Sequence, residues 1–363
     1  MLASKNIVIV GGGITGVATS YFLAKRGVAC TLVDPIGIAP AASGKAGGFL
    51  ALDWNDGAPV GPLARKSFSL HEELARALGE TTVDYRRLTC QSVTCTGGAQ
   101  KPAAGVEWAD LGVLGSRPMG DESTIAQVHP KKLCDALWAE AARLAGSTLV
   151  RGYAEGVERD EQSGALRAVQ VDGKRVAADC VVLAMGPWSP TWFGLPQAYG
   201  TKYHSLLMRP RRTLSQCVFF DCTGPTLASL LQGLGDPEAY PRPDGTVYCT
   251  GFPDPPAVVS ERPGEVEVRA DVAARLESAM RQLSSELQAA PVEVQQACHL
   301  PTFADGVPVI GAVPGVPGAF VASGGGCWGI LCGPATGLAL SELILDGAAA
   351  SVDLTPFSPQ RLL

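Results

Sequence analysis

Charge is scarce in this chain. Only 18% of its 363 residues are Asp, Glu, Lys or Arg, and the formal net charge is -6. No basic surface for a polyanion is implied, so nucleic acid is not expected as a partner. The eleven cysteines are an odd number, sit mostly inside apolar stretches and include no Cys-x-x-Cys pair, which disfavours a disulfide framework or a zinc site. The four histidines, His71, His129, His204 and His299, stand far apart without metal-ligand spacing, and no metal is expected. No internal repeat is visible. No apolar run approaches the roughly 20 residues that cross a bilayer, and residues 1–6 lead directly into an apolar strand without the pattern of a signal peptide. The expectation is a cytoplasmic protein with no transmembrane segment. Apolar residues are abundant at 46%, and 43 glycines and 27 prolines are spread among them. A chain of this length ordinarily divides into two domains.

Ile7-Val8-Ile9-Val10 is a short apolar run followed at once by Gly11-Gly12-Gly13-Ile14-Thr15-Gly16, after which apolar residues recur at helical spacing up to Gly27. This reads as buried strand, tight turn and helix. Gly11 permits the turn, Gly13 lets the backbone approach a pyrophosphate at the positive helix end, and Gly16 lets helix and strand pack closely. A second apolar strand, Cys30 to Val33, ends in Asp34, where a carboxylate can accept from a ribose 2'-hydroxyl. Gly-rich turns also occur for packing alone, but here strand, helix and distal acid agree.

Two further glycine segments separate a flavin dinucleotide from a nicotinamide one. Ser43-Gly44-Lys45-Ala46-Gly47-Gly48 follows the second strand, and Gly324-Gly325-Gly326-Cys327-Trp328-Gly329-Ile330 precedes a helical pattern running from about Pro334 through Leu345. The first allows backbone amides and the Ser43 hydroxyl to pack on a larger cofactor. The second sets a helix N-terminus where it can stabilise negative charge on a reduced flavin ring. An NAD-dependent dehydrogenase is the reading these two segments oppose.

With Gln127-Val128-His129-Pro130, Gly186-Pro187-Trp188-Ser189, Tyr240-Pro241-Arg242-Pro243-Asp244-Gly245 and Asp305-Gly306-Val307-Pro308-Val309-Ile310-Gly311 in the same order, nearly the whole chain resembles the D-amino acid oxidase, glycine oxidase and sarcosine oxidase superfamily of FAD-dependent oxidoreductases, nearest to uncharacterised eukaryotic members. The resemblance implies an α/β fold: a Rossmann-like FAD-binding domain from residues 1–78, 127–200 and 301–363, interleaved with an α+β substrate domain, 79–126 and 201–300, built on an antiparallel sheet. It also places Pro35, Ala154, Ala184, Gly186 and Trp188 beside the cofactor. Strand candidates at Ser205 to Met208, Gln216 to Phe220 and Thr246 to Gly251, with Asp244-Gly245 as a turn, fit such a sheet.

The implied activity is oxidation of a C–N bond in an amine or amino-acid derivative by hydride transfer to FAD. Amino-acid oxidases of this superfamily clamp the substrate carboxylate with an arginine before the proline that precedes the Asp-Gly-x-Pro-x-Ile-Gly stretch. Here Leu300 precedes Pro301, and leucine offers nothing in exchange for a bidentate guanidinium. Arg242, Arg209, Arg211 or Arg212 is then either a replacement or a solvated surface group. Gly325 stands where many relatives carry a histidine. Cys298 falls where sarcosine oxidase attaches its flavin, so it is either a covalent attachment point or a buried structural cysteine. Lys45, His204, Tyr248 and Trp328 complete the pocket candidates. The alternative is an FAD-containing protein that acts through protein partners, for instance in trafficking.

Overall fold

The computed structural model describes residues 5–101, 105–189, 191–232, 235–251 and 253–363. Strand Ile7–Val10 is buried at all four positions and pairs in parallel with Thr31–Asp34 on one side and Cys180–Leu183 on the other. A strand covered on both faces needs no polar alternation, which is why it reads as an uninterrupted apolar run. Thr148–Arg151 and Ala319–Ser323 extend this sheet in parallel, and only the edge strand Val309–Ala312 runs antiparallel. Helix Ile14–Lys25 lies against helices Pro130–Ala145 and Gly329–Asp346.

Helix Gly329–Asp346 begins five residues before the Pro334 at which its sequence pattern starts, so the proline lies inside it. Proline has no N–H and leaves the carbonyl four residues earlier without a donor. That carbonyl, on Ile330, lies 3.0 Å from Nε2 of the buried His71, and the Leu331 carbonyl lies 3.2 Å from it. The displaced Ala335 N–H donates instead to Ser67 Oγ at 3.0 Å. Both repairing side chains come from helix Gly61–Leu78. Two carbonyl acceptors place the imidazole hydrogen on Nε2, and burial lowers the His71 pKa to about 4, so the ring is neutral. By length and composition the segment Gly326–Asp346 could span a bilayer, contrary to the reading that no run approached that length, but its apolar surface is used up in packing on helices Ile14–Lys25 and Gly61–Leu78.

The second large sheet has seven strands in the order Val292–Thr302, Tyr199–Met208, Val247–Gly251, Glu238–Pro241, Cys217–Cys222, Cys90–Gln100 and Leu111–Gly120. It departs from the expected antiparallel sheet at one junction, where Cys217–Cys222 and Cys90–Gln100 run parallel. Strand alternation sorts its side chains. Val218, Phe220, Ala239, Val247, Cys249, Leu206 and Met208 form one core with helix Ala270–Leu283. Their strand neighbours, including Phe219, Glu238, Tyr240, Tyr248, Ser205 and Cys298, face the other way, toward the glycine segments of the first sheet.

Candidate functional site

The Gly11 φ of +113° is a conformation that side chains rarely adopt, and a Cβ there would stand 2.2 Å from the Ala184 carbonyl oxygen. A Cβ on Gly16 would stand 2.0 Å from the Gly11 carbonyl oxygen. These contacts bring helix Ile14–Lys25 down onto the sheet and set its N-terminus at the floor of a cavity of about 780 Å³. Gly329 and Ile330, which open helix Gly329–Asp346, line the same cavity. Neither helix has an acidic residue in its first turn or a cap from its own N-cap side chain. Two positive dipole ends therefore converge on one space, which suits an anionic ligand long enough to reach both.

Most of the expected cofactor residues line this cavity: Gly11, Gly13, Ile14, Thr15, Asp34, Pro35, Ser43, Ala46, Ala154, Ala184, Gly186, Trp188, Gly324, Gly325, Gly326, Cys327, Gly329 and Ile330. Asp34 is already engaged. Its carboxylate accepts from Gly12 N at 2.9 Å and from Ile36 N and Gly37 N, each at 2.9 Å, so it shapes the loop as well as facing the cavity. Ser43 sits in a one-turn helix, Ala42–Lys45, rather than an open loop, and its Oγ accepts from Ile14 N at 3.0 Å. Gly16, Gly44, Lys45, Gly47, Gly48 and Trp328 are not among the lining residues. Gly16, Gly44, Gly47 and Gly48 are close-approach positions: a Cβ on Gly47 would meet the Tyr240 ring at 2.3 Å and one on Gly48 the Val128 carbonyl oxygen at 1.9 Å.

Lys45 is turned away from the cavity and donates to the Ala297 carbonyl at 2.9 Å. Arg242 is no surface arginine. It is 4% exposed, donates to the Ala46 carbonyl at 2.8 Å and lies over the Tyr248 ring, which is stacked in turn on Tyr240. Arg209 and Arg212 are surface groups paired with Glu293 and Glu286. His204 lies on the sheet face turned toward helix Ala270–Leu283, fully buried, where Nε2 accepts from Arg269 N at 3.0 Å; it is a structural histidine and not a pocket group. Cys298 is 4% exposed and outside the cavity lining, and burial raises its thiol to about 11. Leu300 does line the cavity, opposite Thr201 in the sheet register. Among the described residues no group of His, Cys, Asp and Glu could hold a metal ion.

The profile of the family described as FAD dependent oxidoreductase (DAO) matches residues 6–343, and an oxidoreductase of Schizosaccharomyces pombe is 35% identical over 100% of both chains. The chain belongs to this family. As an FAD-dependent oxidoreductase it has further likenesses. It is 26% identical to a glycine oxidase of Pseudomonas putida over 99% of this chain and 100% of that one. The fold of the Geobacillus kaustophilus glycine oxidase superposes with a TM-score of 0.78 at 24% identity, covering 98% of each chain. That of the L-proline dehydrogenase from P. horikoshii does so at 0.75 and 16% identity, over 100% of this chain and 94% of that one.

Two features in and beside this oxidoreductase's cavity were not legible in the sequence. The first is the rim formed by Val259 to Pro263. Glu261 is held there by Lys202 Nζ at 3.2 Å and His299 Nε2 at 3.1 Å, while its carbonyl accepts from Trp188 Nε1 at 2.6 Å. The second is a group of half-buried rings, Phe49, Trp54, Phe219 and Trp328, around Tyr240 and Glu238. Its members come from four separate stretches of chain, and strand alternation could have pointed only to Phe219, Glu238 and Tyr240 as sharing a face.

Proposed function

We propose that this flavoprotein oxidises the C–N bond of a small amine or amino-acid derivative. The carrying observation is the cavity that joins two helix N-termini, neither with an acidic first turn, to the inner face of the seven-stranded sheet, giving one space for an anionic cofactor and a neighbouring apolar wall for a small substrate. In this reading Gly11 to Thr15, Asp34 and Ser43 would hold one end of FAD and Gly324 to Ile330 the other, within residues 1–78, 127–200 and 301–363, while residues 79–126 and 201–300 would carry the substrate. Bound FAD supplies a two-electron, hydride-accepting ring. The chain's own contribution is positional. The N-terminus of helix Gly329–Asp346 stabilises negative charge at its end of the cavity, the Leu300 wall excludes water, and the strand Val292–Thr302 fixes the substrate's distance from the glycine loop. Loss of hydride from the neutral amine would leave an iminium ion, which water hydrolyses to a carbonyl compound and a protonated amine. The glycine oxidase and L-amino acid deaminase names among the relatives and folds favour this bond as the one attacked. The test is anaerobic mixing of the FAD-loaded protein with primary amines, secondary amines, glycine and D-amino acids. Bleaching of the flavin bands by one of these classes is expected; none doing so would overturn the proposal.

A further inference from the structure

Glu238 is a carboxylate in an aromatic setting with no cation to balance it. It lies on the inner face of the seven-stranded sheet, registered against Thr250 on one side and Phe219 on the other. Its hydrogen bond is from the Tyr240 hydroxyl. Among the described residues no lysine, arginine or histidine forms an ion pair with it, and no positive charge offsets the rise that burial imposes on its pKa. Around it stand the Phe49, Trp54, Phe219 and Trp328 rings, each half-buried, with Phe49 stacked on Tyr240 at 5.4 Å and Trp54 5.2 Å from Phe219 and 6.2 Å from Trp328. Trp328 follows Cys327, which lines the cavity, so the ring cluster abuts the C-terminal glycine segment. Desolvation raises the Cys327 thiol and the Tyr203 phenol, and the Glu238 charge adds to both, so its field reaches the cavity wall.

An unpaired carboxylate costs free energy to bury unless a counter-charge arrives. Ring faces are negative and attract cations, by about 0.5–1 kcal/mol at exposed sites and about 2 or more where water is excluded. The wall at Leu300, by contrast, offers nothing to a substrate carboxylate, and the guanidinium that does line the cavity, Arg262, lies over the Tyr153 ring. We propose that Glu238 and the Phe49, Trp54, Phe219 and Trp328 rings, which stand beside the cavity and not in its lining, form a cation-recognition face that binds a positively charged nitrogen of the substrate, making this enzyme selective for carboxylate-free cationic amines. The inference rests on the amine-oxidation reading and deepens it.

The test uses FAD-loaded protein titrated with tetramethylammonium chloride, with sodium chloride at equal ionic strength and sodium acetate as controls, following the visible flavin spectrum. Saturable perturbation by tetramethylammonium is expected, with none by acetate. Glu238→Gln should weaken it at least tenfold while FAD content and circular dichroism stay unchanged. Phe219→Leu, which keeps the position apolar, should weaken it severalfold and serves if the glutamine variant does not fold. In turnover, Glu238→Gln should raise KM for a simple alkyl diamine at least tenfold with a smaller change in kcat. Equal binding by wild type and both variants, or tighter binding of acetate than of tetramethylammonium, would overturn the inference. Because tetramethylammonium has no oxidisable C–N bond of the required kind, its binding reads the cation-recognition face even if every amine fails to bleach the flavin; that failure would sink the amine-oxidation reading alone.

Discussion

Replacing His71 by leucine should change both the stability of the protein and the way that stability depends on pH. In the native helix pair, His71 Nε2 serves the Ile330 carbonyl that Pro334 cannot, and the Leu331 carbonyl beside it. Leucine leaves these buried acceptors bare, at about 1–3 kcal/mol for each unsatisfied group. A second effect has the opposite sign. The folded imidazole titrates near 4 because burial disfavours its charged form, against 6.5 when unfolded. Above pH 6.5 both states are neutral and the ring carries no titration penalty. As pH falls from 6.5 toward 4, the unfolded chain takes up a proton that the native chain refuses, and wild type loses about 1.4 kcal/mol per pH unit, about 3 kcal/mol in all. His71→Leu escapes that loss. Urea unfolding at saturating FAD should therefore show the variant clearly weaker at pH 7.5 and close to wild type near pH 4.5. Adding Pro334→Ala, which restores an N–H for the Ile330 carbonyl, should recover about 1–2 kcal/mol in the leucine background and less in wild type. Parallel pH curves for wild type and variant would refute the reasoning.

Three other outcomes follow from close contacts and chemistry in the site. Gly16→Ala forces a Cβ to 2.0 Å from the Gly11 carbonyl oxygen, where both partners are main chain, so the purified protein should lose its visible flavin bands and regain them poorly with added FAD. Leu300→Arg puts a guanidinium on the cavity wall opposite Thr201; kcat/KM for glycine should rise tenfold or more, about 1.4 kcal/mol of carboxylate recognition, and an unchanged value would show that the wall does not face the substrate. Acid precipitation should release all flavin into the supernatant, since the Cys298 thiol is buried outside the cavity and held toward about 11; colour in the pellet would reverse that assignment.

The N-terminal half of the cavity could be read from the chain because one local pattern, strand then glycine turn then helix, encodes it within ten residues. Ile7 to Gly16 specifies its own geometry. The inner face of the seven-stranded sheet is different. Phe219 and Glu238 meet through strand pairing, Phe49, Trp54 and Trp328 reach them from a separate small sheet, a turn and a short 3-10 helix, and Glu238 lies in a four-residue strand too short to show its period. Arg242 misleads for a related reason, because an arginine beside Pro-Asp-Gly resembles a turn residue, yet sheet pairing buries it under Ala46 and Tyr248. Pro334 gave a false helix start because its missing hydrogen bond is supplied by His71, more than 250 residues earlier in the chain.

The segment from Lys45 to Gly48 ties together parts of the molecule that the chain visits at different times. Lys45 Nζ donates to the Ala297 carbonyl, Gln296 donates to the Lys45 carbonyl at 3.0 Å, Arg242 to the Ala46 carbonyl, and Gly47 lies on the Tyr240 ring. These fastenings join the glycine segment to two strands of the seven-stranded sheet and to the turn that follows one of them, so the two sheets are braced against hinging apart. The rim at Val259 to Pro263 is fastened in the same way, through Glu261 to Lys202, His299 and Trp188, so the mouth of the cavity is braced from the sheet side as well.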